Sequence, residues 1–472
     1  MYGLRFQPYH RAVATGLVAL CMGPAASFAA SNEDGGADNS PKDLQMKGVV
    51  IESPYPVRGG DFGASCTLLD LDGDGNRDLA IGAPGEERVY VAQGADPDAG
   101  HRFSGMKLFS RPSFSKGGLV RKGSKTFGTA LAAGNLDEDP ADEFVIGEPG
   151  ADRGDGLVFV YGLGESSKAP LVLKPLASGQ GGRFGWKIEV DDLDGDGIGD
   201  LVVSESRGIV EGVGAGRLHV IRGPFVDGSG GSEDRFVIPN PAPSEGASFG
   251  HALAVRDLDD DGISDLVVSA PGNTSSGVAL AGQVFVFNGP VGEGGSIVLE
   301  DPDPNPRDPS RFGMDLAVFQ QTVAVGSPRK NGSAEDAGQG FVFRHPGSGP
   351  LTLHNHPFPE EDDILGFRTG ILDVSGNARP EVIFVSLKKR GFYVWDGARI
   401  KDEPRFVSVL PDSEDHYAQG ITTGQLFAGD REEVVLGDPT WDRPGEGKHD
   451  NSGRIVIYHV PTGDKTGDGV GR

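Results

Sequence analysis

What most constrains this chain is a stretch of sequence that recurs seven times, each copy opening on an aromatic residue followed by glycine. Clear openings are Asp61-Phe62-Gly63, Thr126-Phe127-Gly128, Arg183-Phe184-Gly185, Ser248-Phe249-Gly250 and Arg311-Phe312-Gly313. Degraded copies stand at Gly366-Phe367-Arg368 and Tyr417-Ala418-Gln419-Gly420. The openings lie 50 to 65 residues apart, the period of propeller blades rather than of helical solenoids. Within a copy the order is fixed. In the third, a strand over 184–190 leads to an Asp-rich loop, a strand over 201–204, a Gly-rich loop, a strand over 217–221 and an outer strand; in the second copy the outer strand covers 170–173. Short β-branched runs bounded by Gly, Pro and Asp are strands, and four per copy make one blade. The 75 Gly and 33 Pro are the turns such a chain needs, and no apolar pattern at helical spacing follows the first thirty residues.

The chain is therefore expected to be all-β, a seven-bladed β-propeller of four-stranded antiparallel blades. The seventh copy stops at its third strand, 454–458, whereas 48–51 precede the first Phe-Gly in the frame of an outer strand. That N-terminal strand is expected to complete the last blade and close the ring, which removes exposed sheet edges.

Three of the loops after the first strand read D-x-D-x-D-G-x-x-D: Asp70, Asp72, Asp74 and Asp78; Asp192, Asp194, Asp196 and Asp200; Asp257, Asp259, Asp261 and Asp265. Alternate spacing converges the carboxylates, the carbonyls of Asn76, Ile198 and Ile263 can add a ligand, and Gly75, Gly197 and Gly262 permit the turn. Oxygen-only ligands in a flexible loop suit Ca²⁺ better than Mg²⁺. An EF-hand would need Glu at position 12, where Ile81, Val203 and Val268 stand. A second-copy variant offers Asn135, Asp137, Asp139 and Glu143, with Pro140 at the turn; a sixth-copy loop offers Asp373, Ser375, Asn377 and Glu381. The fifth loop is deleted and the seventh has lost the pattern. Three to four calcium ions are expected, in a structural role.

Phe-Gly, an Asp loop and then Gly-Ala-Pro or a near variant (82–84, 147–149, 269–271, 326–328, 437–439) resemble the FG-GAP repeats of the integrin α-subunit N-terminal propeller and of bacterial integrin-like repeat proteins, over roughly residues 45–460. The third and sixth copies depart from it, with Ser204-Glu205-Ser206 and Val385-Ser386-Leu387. The resemblance implies a protein-binding or cell-adhesion module whose partner meets the face opposite the calcium loops. It implies no receptor signalling, because no leg domain or membrane anchor is seen.

A net charge of -26 argues against nucleic-acid binding and electrostatic membrane docking. Residues 1–30 carry Arg5 and Arg11, an apolar run over 12–22 and small residues before a cleavage point at Ala29 or Ala30, the pattern of a secretory signal peptide. Segments 31–44 and 461–472 read as flexible tails around a 45–460 propeller. An exported location, secreted, periplasmic or cell-surface, follows. Cys21 falls in the signal, leaving Cys66 alone and no intramolecular disulfide. No later run is long enough to span a membrane.

Other candidates are weaker. Trp441 with Arg443 and His449 could anchor a partner or simply pack on its blade; His354 and His356 could bind a metal or be solvated strand residues; Arg153-Gly154-Asp155 could be a recognition tripeptide or a hairpin turn. No catalytic signature is visible, so no enzyme is expected. The alternatives are a calcium-dependent carbohydrate-active lyase or hydrolase, which a Lys, Arg or His cluster at the ring centre would favour, and a lectin, for which three dissimilar Trp positions offer little.

Overall fold

The computed structural model describes residues 26–27, 47–94, 103–112, 124–137, 139, 141–163, 169–177, 180–225, 235–292, 294–307, 309–331, 334–344, 352–355, 359–373, 380–388, 391–396, 404–408, 419–426, 432–442 and 451–459. It is a seven-bladed propeller of four-stranded antiparallel blades. The first strands of consecutive blades touch one another all the way round and form the inner wall. Blade one runs Ser65–Leu69, Asp78–Ala83, Arg88–Gly94 and Phe103–Ser110 from inside to outside, and the other blades repeat this order. Every second strand is buried along its whole length, for example Asp200–Glu205 and Glu433–Asp438, because it is sandwiched between neighbouring blades on both faces.

Blade seven takes its outer strand from the chain start. Lys47–Glu52 pairs residue by residue with Arg454–His459, as expected. A two-residue strand, Ala26–Ser27, adds to its edge; the rest of the leader falls outside the described residues, as do the 31–44 and 461–472 tails.

The Phe of each Phe-Gly is a wedge between blades. Phe62, Phe127, Phe184, Phe249 and Phe312 are wholly buried, and each meets edge-on a ring of its own blade's third strand: Tyr90, Phe159, His219, Phe285 and Phe341, at 5.1 to 5.6 Å between centroids. The backbones of Phe62, Phe184, Phe249 and Phe312 dock on a glycine that opens the previous blade's third strand, Gly453, Gly156, Gly216 and Gly282, whereas blade one has Glu87 at that position, with a φ of 55. At the closure Phe62 bridges Gly453, whose φ is +79 and where an added Cβ would lie 2.1 Å from the Phe62 carbonyl oxygen, so only glycine fits.

One expected equivalence between copies needs correcting. In blade six the residue bridging the preceding glycine, Gly338, is Leu365. Leu365 is wholly buried, and Gly366 has the φ of +85 seen at the other Phe-Gly glycines. Leu365-Gly366 is therefore the sixth opening, with Leu in the wedge, and Phe367 lies two positions beyond it. Tyr417 lies outside the described residues.

Candidate metal loops

The acidic loops join first to second strands and so lie together on one face of the ring. In blades one, three and four the same hydrogen bonds shape the loop. The first Asp accepts, through Oδ2, the N–H of the turn glycine: Gly75 to Asp70 at 2.9 Å, Gly197 to Asp192 at 2.7 Å, Gly262 to Asp257 at 2.9 Å. The fifth, Asp74, Asp196 or Asp261, accepts the N–H of Asn76, Ile198 or Ile263 at 2.8 Å each. These contacts tie the loop into a ring of acceptors.

Ligand atoms within 4.8 Å of one another are offered by Asp70, Asp72 and Asp74; by Asp137, Asp139 and Glu143; by Asp192, Asp194 and Asp196; and by Asp257, Asp259 and Asp265. The donors are all oxygens, which fits a hard divalent cation. The predicted residues thus gather into four clusters, with Asp78 outside the tight set of the first, Asp200 outside that of the third and Asp261 outside that of the fourth. Asn135 lies in the second loop, where Asp137 N–H donates to its Oδ1 at 3.2 Å; Pro140 lies outside the described residues.

The ninth position does more than its spacing suggests. Asp78, Asp200, Asp265 and Glu143 are each about 1% exposed. Their carboxylates accept the N–H of the second loop residue: Leu71 at 3.2 Å, Leu193 at 3.0 Å, Leu258 at 2.8 Å and Leu136 at 2.6 Å. The three aspartates also accept Gly94, Gly223 and Gly289 after the third strand, at 2.7 to 3.0 Å. Each acid therefore clamps its loop to its blade. Burial first, with neighbouring loop carboxylates adding to it, pushes Asp78 and Asp200 up to about 6 and Glu143 to about 7. That uncompensated negative field is what a bound cation would relieve.

The loops are also linked to one another. The carbonyl of position one accepts the N–H of position eight in the next blade: Asp142 to Asp70, Gly199 to Asn135 and Ser264 to Asp192, at 2.8 to 3.1 Å. The sixth and seventh blades keep this link, Glu432 to Asp373 at 3.2 Å. Blade seven also keeps the clamp, Leu426 N–H to Glu433 at 2.8 Å. Sequence reasoning missed this because the ligand positions between are gone; Leu followed seven residues later by an acid was the available signal. Residues 375 and 377 of the sixth loop lie outside the described residues.

The third position meets the end of the third strand: Gln93 donates to Asp72 and Asn288 to Asp259. In blade three the equivalent residue is Arg222, whose guanidinium lies 3.3 Å from Asp194. A cation there competes with a metal for the same carboxylate.

On the opposite face several loop residues prove structural. Trp441 is 6% exposed and lies under Arg454 at 5.1 Å, so it packs on its own blade; Arg443 and His449 lie outside the described residues. Asp155 of the Arg-Gly-Asp triplet is buried and accepts N–H groups of Gln180 and Gly181 at 2.9 and 2.8 Å, which explains it as a joint to the next blade. Lys330 is buried against Asp301 at 2.8 Å. His354 lies in the strand Thr352–Asn355; His356 is outside the described residues. The thiol of Cys66 is pushed up by burial to about 12.

A family model described as FG-GAP repeat matches residues 62–95, 184–221 and 249–287, the three blades whose acidic loops are undamaged. Among curated proteins the chain is similar to integrin alpha-5 of Xenopus laevis, 30% identical over 201 residues, covering 40% of this chain and 18% of that one. It is similar to integrin alpha-7 of Rattus norvegicus, 28% identical over 268 residues, covering 52% and 22%. Human phosphatidylinositol-glycan-specific phospholipase D is 37% identical over 113 residues, 23% and 13% of the two chains. This chain spans only a fifth or so of the integrins' length and less of the phospholipase. Among solved structures, a streptogramin B lyase (TM-score 0.51, 10% identity, 89% of this chain and 100% of that one) and a virginiamycin B lyase from Staphylococcus aureus (TM-score 0.51, 11%, 88% and 100%) share the propeller fold; at such identities the likeness is one of fold alone.

Proposed function

We propose that this FG-GAP-repeat propeller is an exported binding module whose acidic loops hold three to four calcium ions and whose partner, a protein or surface ligand, docks on the face opposite them. The observation that carries the calcium reading is the fourfold recurrence of converging carboxylates. Export rests on the leader pattern of residues 1–30 and accords with likeness to integrin α chains. The partner face rests on where apolar side chains stay exposed. Tyr55, Val57, Leu176 and Ile209 all lie on connections of that face, and Leu108 and Val298, the other large exposed ones among the described residues, lie on outer strands.

Calorimetric titration of the mature chain is expected to count three to four ions, and binding of none overturns the calcium reading. Asp194→Ala is expected to lower the count by one and cost about 1.4 kcal/mol at a tenfold excess of free ion over Kd. Removing the competing guanidinium with Arg222→Gln is expected to tighten the third loop. For a partner once identified, Leu176→Asp with Ile209→Asp is expected to weaken binding tenfold or more and Leu108→Asp to leave it unchanged; the reverse pattern would move the interface to the outer strands.

A pH dependence follows. The raised ninth-position acids favour folding fully below the unfolded carboxylate value near 4 and lose that contribution as pH rises through about 6 to 7. Metal-free protein is therefore expected to lose stability between about pH 4.5 and 7.5 in urea unfolding, and calcium to restore it at the upper end. A metal-free profile rising across that interval would contradict the assignment.

The second reading, an enzyme on a propeller scaffold, is favoured by one observation: Lys187, His251 and Arg368 lie on or just before the inner strands at the ring centre, where burial and the two cations keep His251 neutral.

A further inference from the structure

The first strands that wall the central channel carry an ionic cluster unrelated to the calcium loops. Lys187, Asp315 and Arg368 occupy one register position, three residues beyond Phe184, Phe312 and Leu365. The corresponding residues of the other blades are Ser65, Ala130, Ala252 and Gly420, all small and uncharged. Two positions further on in blade three is Glu189, and one position before this level lie Trp186, His251, Met314 and Phe367.

Lys187 stands on blade three, whereas Asp315 and Arg368 stand on the adjoining blades five and six, so only Lys187 is remote from the other two. On the inner wall, at one register level, Lys187 of blade three stands across the ring from Asp315 of blade five and Arg368 of blade six; burial lowers the Lys187 pKa and the Asp315 carboxylate works against that. Asp315 is already engaged, accepting the Thr369 N–H at 2.9 Å. Arg368 donates through Nε to the Gln419 carbonyl at 2.5 Å and lies over the Phe367 ring at 4.5 Å. The Lys187 ammonium has neither a hydrogen bond nor an ion pair among the described residues, although its main-chain N–H is held by Ser204 at 2.9 Å. Trp186 Nε1–H is buried without an acceptor, its ring 5.9 Å from His251.

The field there is positive. Burial, and then Lys187, Arg368 and Arg311, push His251 down to about 3, so its imidazole stays neutral. Burial raises Glu189 to about 7, so this acid is only partly charged at neutral pH. Lys187 is half-buried and, among the described residues, unpartnered, and cations lining one channel focus a field that attracts an anion.

We infer that the central channel binds a small oxyanion, a carboxylate or a tetrahedral anion, between Lys187 and Arg368. The anion completes the unpaired ammonium and draws on Arg368 Nη2, since Nε and Nη1 are held by the Gln419 and Phe367 carbonyls. This site is independent of the calcium reading, and the ion count of the loops is unaffected by its failure.

The test is thermal unfolding of the calcium-loaded protein against succinate and sulfate, with chloride at matched ionic strength as the blank. Saturable stabilisation is expected for at least one of the two, and which one decides between a carboxylate and a tetrahedral ligand. Lys187→Met and Arg368→Gln are expected to weaken that binding tenfold or more; Lys187→Arg and the exposed control Lys107→Met are expected to keep it. No saturable effect on the unsubstituted protein overturns the inference, as does unchanged binding in Lys187→Met. Should Lys187→Met fail to fold, equal binding by the unsubstituted protein and Arg368→Gln overturns it as well.

Discussion

Removing residues up to 52 is expected to cost the propeller roughly 3–6 kcal/mol, the burial of two aliphatic side chains at about 1.5–3 kcal/mol each. The residues responsible are Val49 and Ile51, 7% and 2% exposed, packed with Phe62, Val435, Ile455 and Ile457 where blade seven meets blade one. Without Lys47–Glu52, the strand Arg454–His459 loses its partner along its whole length and presents Ile455-Val456-Ile457-Tyr458 as an open edge, a template for aggregation. Urea unfolding of chains beginning at residue 47 and at residue 53 measures the difference. A synthetic 47–52 segment added in trans is expected to recover part of it and suppress association. Equal midpoints would show that the ring is held closed without this strand, by the first-strand contacts and the Gly453–Phe62 joint between blades seven and one.

Glu205→Ala is expected to destabilise by about 3–5 kcal/mol, the usual cost of removing one partner from a buried ion pair. Glu205 is wholly buried; Arg217 Nε reaches it at 2.7 Å and Nη2 at 3.1 Å, and His219 Nε2 lies 2.7 Å away. Burial works to raise Glu205, but the hydrogen bonds of His219 and Arg217 outweigh it and hold the acid below its usual value. Its contribution is therefore present above the unfolded carboxylate value and lost as pH falls through the lower folded one. His219 in turn stacks edge-on against the wedge Phe184 at 5.1 Å, so loss of the acid loosens the blade two to blade three seam. Glu205→Gln, which keeps a hydrogen-bonding group but drops the charge, is expected to lose less. Urea unfolding at about pH 7 and about pH 3.5 separates the cases: the Ala and unsubstituted proteins should differ less in acid. A loss below about 1 kcal/mol at neutral pH would place the stability of this seam in the Phe184 contact instead.

The same position is filled differently around the ring. Glu148 pairs with Arg111 at 2.6 Å and Asp438 with Arg454 at 3.2 Å, whereas blades one and four place Ala83 and Ala270 there. In the sequence these were only variants of a Gly-Ala-Pro triplet. Burial between blades makes an acid there depend on a cation from an adjoining strand, and that partner is not readable from spacing.

Repeat, strand order, ring closure and the acidic loops were legible because each is set by local spacing: alternation for strands, a glycine where the backbone must turn, acids at every second position of a loop. Where one residue had to be matched to its equivalent in another blade, the sequence misled. Phe367 looked like the sixth wedge because an aromatic is the expected filler, but the dock on Gly338 selects Leu365. For Trp441 and Asp155 the sequence left a partner site and a structural role both open, and their burial decides for the structural role. The seventh clamp, Leu426 with Glu433, was hidden because the ligand positions between them no longer carry acids.

By itself, then, the sequence determined what each blade is and where its carboxylates converge, since those depend on residues close together in the chain. Only the closed ring decided which charges meet. Lys187, Asp315 and Arg368 are separated by whole blades in sequence, and they face one another because seven twisted sheets set side by side must bring their first strands around one axis.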